Sequence, residues 1–352
     1  MGLTNLDLAE LLSVASESAE TERRTKALRR AARHALTWEE EASDLLAAGR
    51  PPTELPSIGP WIGGILQDWF ERTPEVPAPP ETRRGFRTMS QARSVLDEHP
   101  DWRPGLRADL QTHSEWSDGK FSLEENARAA RALGHSFILA TDHSAGQRIP
   151  SGMDEETILR QRTEIDRVNE VPADDGAGIR VLRGIEMNLD VEGKGDTDPK
   201  VLAPLDVVLA AFHSKLRIEE DQTERYLAAL RNPDISVLAH PRGRRYGVRL
   251  GLRADWPRVF AAAAEAGIAL ETDAFPDRQD LDVELLEVAR DAGCRISIGS
   301  DAHRTDEMRW IDLGLAAAVG AGVPRDRILN YLDPDELVAW AVEGRAERRR
   351  RA

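Results

Sequence analysis

The chain has 352 residues, 41% of them hydrophobic, and a formal charge of −15 at pH 7; that length can bury a large core and leave a smaller appendage. The acidic balance excludes a protein that coats nucleic acid over its whole surface, so an anionic partner must be met by a local basic patch. With Cys294 as the one cysteine, no disulfide can form within the chain, which fits a reducing compartment.

The opening MGLTNLDLAELL carries neither a basic leader nor a long apolar stretch, and no later segment approaches ~18 uninterrupted apolar residues. A cytoplasmic protein with no membrane span is expected. Leu8, Leu11, Leu12 and Ala15 recur at helical spacing and predict a helix over 3–18; Leu28, Ala31, Ala32 and Ala35 predict a second over 25–36. Arg23, Lys26, Arg30 and Arg33 share one face of that second helix and are candidate contacts to a DNA backbone. The alternative is a solvated charged face, balanced by Glu17, Glu20 and Glu22.

The stretch LPSIGPWIGGIL, 55–66, sets an apolar residue, a glycine hairpin and an apolar helix in direct succession. It resembles a helix-hairpin-helix, in which Gly59 and Gly63 would let amides approach a nucleic-acid phosphate without base specificity. Ser57 stands where that motif usually has its first glycine, which leaves a plain αα-hairpin open. Residues 1–76 therefore read as a small all-α domain. The four prolines of TPEVPAPPETRR, 73–84, predict an extended, semi-rigid connection. Residues 77–104 are read as linker and lead-in, with a short helix over 90–98.

From 105 to 345 short apolar runs alternate with helix-length segments, the pattern of parallel strands with crossover helices. The first of these helices is signalled by the capping box of Ser122 and Glu125 and by Gly134 as a stop. Others are expected over 154–170, 219–231, 255–266, 283–292, 308–319 and 335–342. The closing ERRRRA reads as a charged, solvated tail over 346–352.

The runs end in a series of ligand-type side chains. DLQTHSEWSDG supplies Gln111, His113 and Asp118; ILATDH supplies His143; VLRGIE supplies Glu186; VVLAAFH supplies His213; SVLAH supplies His240; ISIGSDAH supplies Asp301 and His303. A lone histidine or aspartate after an apolar run is usually a cap or a core group. Here a whole series falls at strand C-terminal ends, where α/β folds place their chemistry, so one polynuclear metal site is the economical reading. Imidazoles and carboxylates suit Zn, Mn or Fe. Arg244, in HPRGR, is the candidate phosphate contact, with a surface salt bridge as the alternative. Asp142 is expected to orient the site rather than ligate.

These motifs, in this order and spacing, resemble those of the polymerase and histidinol phosphatase (PHP) superfamily. RRTKALRRAAR and LPSIGPWIGGI in turn resemble the N-terminal helical domain of bacterial family X DNA polymerases, whose catalytic palm has no room here between Glu71 and Pro104, because an independent domain needs at least ~50 residues. The resemblance implies an α/β fold, a distorted (β/α)7 barrel behind a small all-α domain, holding two or three divalent ions and hydrolysing phosphoesters. It implies a first ion held by His113, Glu186 and Asp301, a second by Glu186, His213 and His240, and a third by Asp118, His143 and His303. Gln111 replaces a usual histidine at the first ion and is a weaker candidate ligand. Glu271 and Arg278 resemble a family support segment, with Asp273 in place of the usual Asn. The expected activity is a nuclease or 3′-phosphatase on DNA. A small-molecule phosphatase of histidinol-phosphatase type and a DNA-binding scaffold with a non-catalytic barrel are the rivals.

Overall fold

The computed structural model describes residues 2–146, 152–171 and 178–351. Eight strand segments organise the larger part: β1 (Ala108–Thr112), β2 (Phe137–Ala140), β3 (Arg180–Arg183), β4 (Glu186–Leu189), β5 (Leu209–Phe212), β6 (Val237–Leu238), β7 (Ala269–Asp273) and β8 (Ile296–Gly299). They pair in the orders β1-β2-β3 and β4-β5-β6-β7-β8, every pair parallel.

Segments β3 and β4 are two halves of one stave. The Arg183 and Ile185 carbonyls accept from Val207 and Leu209 on the β5 side, while the Glu186 amide donates to Asp142 just past β2. The chain thus passes from one sheet into the other without turning back. Gly184 permits this crossing, since a Cβ there would lie 2.6 Å from the Ala140 carbonyl oxygen. The seven staves expected from the sequence therefore appear as eight segments.

The barrel closes between β8 and β1. Near the mouth, the Asp301 amide donates to Gln111 at 3.0 Å and the His113 amide to Ala302 at 2.9 Å. Lower down a side chain takes over. Asn330, fully buried, donates to the Ala108 and Ile298 carbonyls at 2.9 and 2.8 Å and accepts from the Ile298 amide at 2.9 Å. Asp109 adds a bond from the Ser300 amide at 3.0 Å. Residues two apart on the strands, such as Phe137 and Leu139 or Leu209 and Ala211, fill the inside of the barrel. Their alternates, such as Ala210, Phe212 and Ile298, pack outward against the helices.

The chain's end departs from expectation. The helix predicted over 335–342 runs from Pro334 to Arg351, and the solvated tail expected over 346–352 is part of it; Ala352 lies outside the described residues. Arg345 is buried and donates to the Leu205 and Asp206 carbonyls and to Ser236 Oγ, while Arg348 and Arg349 reach the Ile235 carbonyl and Asp234. Acceptors just ahead of β5 and β6 thus capture the arginines, and no charge pattern in the tail announces them. Among the described residues no helix is long and apolar enough to cross a membrane.

Ahead of the barrel lie α1 (Asn5–Glu17), α2 (Glu22–Ala35), α3 (Ala42–Ala47), α4 (Pro60–Arg72) and α5 (Met89–Glu98). Thr4 and Thr21 cap α1 and α2, which is why the second helix starts ahead of its first apolar residue. Leu8, Leu12, Leu28, Leu36, Trp38 and Leu66 form a core of their own, completed by Phe86 and by Tyr246 from the barrel. The proline-rich connection is laid down on both parts. The Thr82 carbonyl accepts from Gly247 at 3.0 Å, and Arg83 forks onto Glu10 with two bonds of 2.8 Å. Met89, Ala92 and Leu96 of α5 join the barrel's outer core.

Asn330→Leu keeps the branching of the side chain but removes three buried hydrogen bonds, and is expected to lower stability by about 3 kcal/mol. The urea midpoint reads this directly; an unchanged midpoint would mean that the backbone bonds alone hold the seam.

Candidate metal centre

The turns after the strands, with Glu186 as the first residue of β4, bring all eight predicted ligands to one end of the barrel. Among the described residues the donor atoms of seven of these ligands fall into three groups, each within 4.8 Å: His113, Glu186 and Asp301; His143, Glu186 and His213; and His113, Asp118, His143 and His303, with His240 outside the groups and His143 in the place expected of it beside Glu186 and His213. Glu186 is the hub. One of its oxygens lies 2.9 Å from His213 Nε2 and 2.8 Å from His240 Nε2, the other 3.0 Å from His143 Nδ1 and 3.6 Å from His113 Nε2. Asp301 Oδ1 stands 2.8 Å from His113 Nε2, and Asp118 Oδ1 stands 3.2 Å from His303 Nε2. Relative to the three sets implied by resemblance, His113 and His143 each belong to two groups, because their rings stack with centroids 4.4 Å apart.

Two ligands occupy left-handed backbone that non-glycine residues seldom adopt, His240 at φ 26° and Asp301 at φ 53°. Strain of this kind persists only where surrounding contacts impose it, and it concentrates at functional sites.

The electrostatics fit divalent cations. Burial opposes ionisation of Glu186, yet the His143 and His213 imidazoles hold its carboxyl well below the usual range. Burial pushes His213 down to about 4, whereas His303, against the effect of burial, is raised to about 9 by Asp118 and Asp301. His113 Nδ1 is buried without a hydrogen-bond partner, and the imidazoles and carboxylates gathered here are donors suited to Zn, Mn or Fe.

The supporting residues divide between expectation and correction. Asp142 accepts from the Ser114 amide and hydroxyl, both at 2.8 Å, and from Ser117 Oγ at 2.6 Å, so it fixes the loop between His113 and Asp118. A register slip in β1 between Asp109 and Thr112 sets Gln111 against Glu271. Its amide nitrogen, so oriented, lies 2.7 Å from one carboxylate oxygen, leaving only the amide oxygen for an ion. Burial and the neighbouring Asp273 raise Glu271 well above the usual carboxylate range.

Arg244 is not placed as a phosphate contact. Its guanidinium is buried, donates to Asp282, to the Arg278 carbonyl at 2.9 Å and to the Gly85 carbonyl at 3.0 Å, and stacks 3.8 Å from the Phe86 ring centroid. It clamps the linker to the barrel. The guanidinium that reaches the metal groups is that of Arg278, which pairs with Asp301 and lies 3.4 Å from Asp273. Its signal was the DR of LETDAFPDR, read as support only.

Of the candidate DNA contacts, Arg23, Lys26, Arg30 and Arg33 are exposed along α2, Lys26 pairing with Glu22 at 2.6 Å. Gly59 caps α4 with open space around it. Gly63 is buried, and a Cβ there would meet Thr53 at 3.0 Å, so it serves packing rather than phosphate approach. Ser57 adopts φ 66°, the conformation that favours glycine at this turn.

Fold and site define a closed α/β barrel whose mouth gathers clusters of imidazoles and carboxylates that could hold metal ions. No protein-family model matches the chain. It is 34% identical over 236 residues to the DNA polymerase/3′-5′ exonuclease PolX of Bacillus subtilis, a match spanning 67% of this chain and 41% of that protein. It is 28% identical over 242 residues to a probable phosphatase of Thermoanaerobacter sp. (strain X514), spanning 64% of this chain and 90% of that protein. Among solved structures it is similar to a histidinol phosphate phosphatase of Lactococcus lactis, with a TM-score of 0.46 and 16% identity over 62% of this chain and 93% of that one. In its motif series and in these two sequence relatives the chain is similar to the PHP superfamily of phosphoesterases.

Since Glu186 serves two of the groups and Asp301 one, Glu186→Gln is expected to lose more bound metal than Asp301→Ala after dialysis, as counted by inductively coupled plasma mass spectrometry. Equal losses would remove Glu186 from its bridging position. Arg244→Leu is expected to lower stability by about 3 kcal/mol, the cost of breaking a buried pair, with metal content retained; a near-zero change in denaturation midpoint would restore it as a surface contact.

Proposed function

We propose that this chain is a divalent-metal-dependent phosphoester hydrolase acting on DNA, as a nuclease or 3′-phosphatase, with two or three ions of Mn, Zn or Fe. The observation that carries the hydrolase reading is the buried Glu186 carboxylate, in reach of His113, His143, His213 and His240 at once. Bound ions supply a hydroxide near neutral pH and offset the charge that develops on phosphate oxygens. The chain's own part is positional. Asp142 fixes the loop of His113 and Asp118, the barrel mouth holds the remaining ligands, and Arg278 sets a cation beside Asp301 for an anionic substrate.

The DNA reading draws on the exposed basic face of α2 on a chain of net charge −15, and on the polymerase/exonuclease relative, of which the chain spans 41%. In this reading residues 1–76 bind DNA and residues 105–345 hydrolyse it. The likeness to a probable phosphatase over 90% of its length favours the second reading, a small-molecule phosphatase. The complete set of eight ligands disfavours a non-catalytic scaffold.

The deciding experiment compares 3′-phosphorylated, gapped and single-stranded oligonucleotides with a small chromogenic phosphate ester, in Mn and in chelator. Chelation is expected to abolish all hydrolysis, and kcat/KM is expected to be higher on an oligonucleotide; higher kcat/KM on the ester would select the small-molecule reading. Arg23→Glu with Arg30→Glu is expected to weaken DNA binding and to flatten its log–log salt dependence by about 1.5, with ester hydrolysis retained.

A further inference from the structure

Around the start of α4 the surface has features that the fold does not use. Trp61 is 42% exposed, the one aromatic among the large apolar side chains exposed in the described residues. Its ring is the surface neighbour of α2, with the Arg24 guanidinium 5.2 Å from the ring centroid. Three residues on, and so on the same side of the helix, stands Gly64. It is exposed, a Cβ built on it meets nothing within 4 Å, and its backbone is ordinary helix. Neither packing nor conformation calls for glycine there, and glycine weakens an exposed helix relative to alanine. Its neighbour Gly63 is different, being packed on Thr53. A bare strip of backbone beside an exposed indole is what a flat group needs in order to lie against it.

All six basic residues between Glu22 and His34 belong to α2, and Arg30 reaches Ser57 of the adjoining turn at 3.4 Å. The indole therefore sits at the edge of a cationic surface on an acidic chain, which matches a polyanion carrying flat rings.

We propose that Trp61, flanked by Arg24 and the open Gly64 strip, is a stacking platform for an unpaired nucleobase, so that the helical domain prefers single-stranded DNA or a frayed end to intact duplex. Stacking on an aromatic face tolerates any base, and the α2 cations hold the backbone that carries it. This rests on the DNA reading above and adds the strand state of the substrate to it.

The test uses the full chain and fluorescence anisotropy, with a labelled oligothymidylate of about 20 nucleotides and a blunt duplex of equal length. Trp61→Ala is expected to weaken oligothymidylate binding about tenfold, within the range measured for loss of one stacked base, while duplex binding stays within about twofold. Trp61→Phe is expected to retain most of the affinity. Gly64→Gln, a substitution that favours the helix, is expected to give the same selective loss by covering the strip. Equal losses on both DNAs, or none on either, would overturn the platform. If the unaltered chain binds neither DNA, the DNA reading itself fails; if it binds both and Trp61→Ala changes nothing, only the platform fails.

Discussion

The placement of one buried carboxylate, Glu186, governs the rest of the site. A fully buried carboxylate is costly without compensating charge, and Glu186 finds it in four imidazoles supplied by four different turns. Those turns face it because the chain crosses between sheets at Gly184, two residues earlier, where only a missing Cβ allows the approach to Ala140. The crossing, the barrel's irregular hydrogen bonding and the shared ligand are consequences of one local geometry. Ions bound there would substitute for protons that the imidazoles otherwise have to share.

The convergence of the candidate ligands was legible because each comes directly after an apolar run long enough to be a buried strand, and parallel strands carry the residues beyond their C-terminal ends to one side of the barrel. Arg244 was misread for the complementary reason. Its closeness in sequence to His240 says nothing of direction, and its direction is set by Asp282, Arg278 and Gly85, which come from elsewhere in the chain. Arg348 was likewise read as solvated because its acceptors are backbone carbonyls, invisible to any charge pattern. The pairing of Gln111 with Glu271 depends on a register slip in β1 that residue types do not encode.

The linker shows how little composition says of attachment. Its prolines suggest an extended chain throughout, but Glu81–Arg83 close a 3-10 turn, and Thr82, Arg83, Gly85 and Phe86 are each bonded or packed to the helices or to the barrel loop after His240. Tyr246 from that loop completes the helical core. The helices are therefore held against the same loop that begins at the candidate ligand His240, so a change in the set of that loop is felt in both parts.

The seam between β8 and β1 has a kinetic consequence. Asn330 bonds to Ala108 across 222 positions of sequence, and contacts of such separation carry a large loop-closure entropy before any enthalpy is returned. The staves from β1 to β8 can accumulate one neighbour at a time, whereas this last junction must wait for all of them. His113 and Asp301 lie on opposite sides of it, so the group they form with Glu186 does not exist in an open sheet. A cation captured there would act as a clasp, slowing the reopening of the barrel far more than it speeds its assembly.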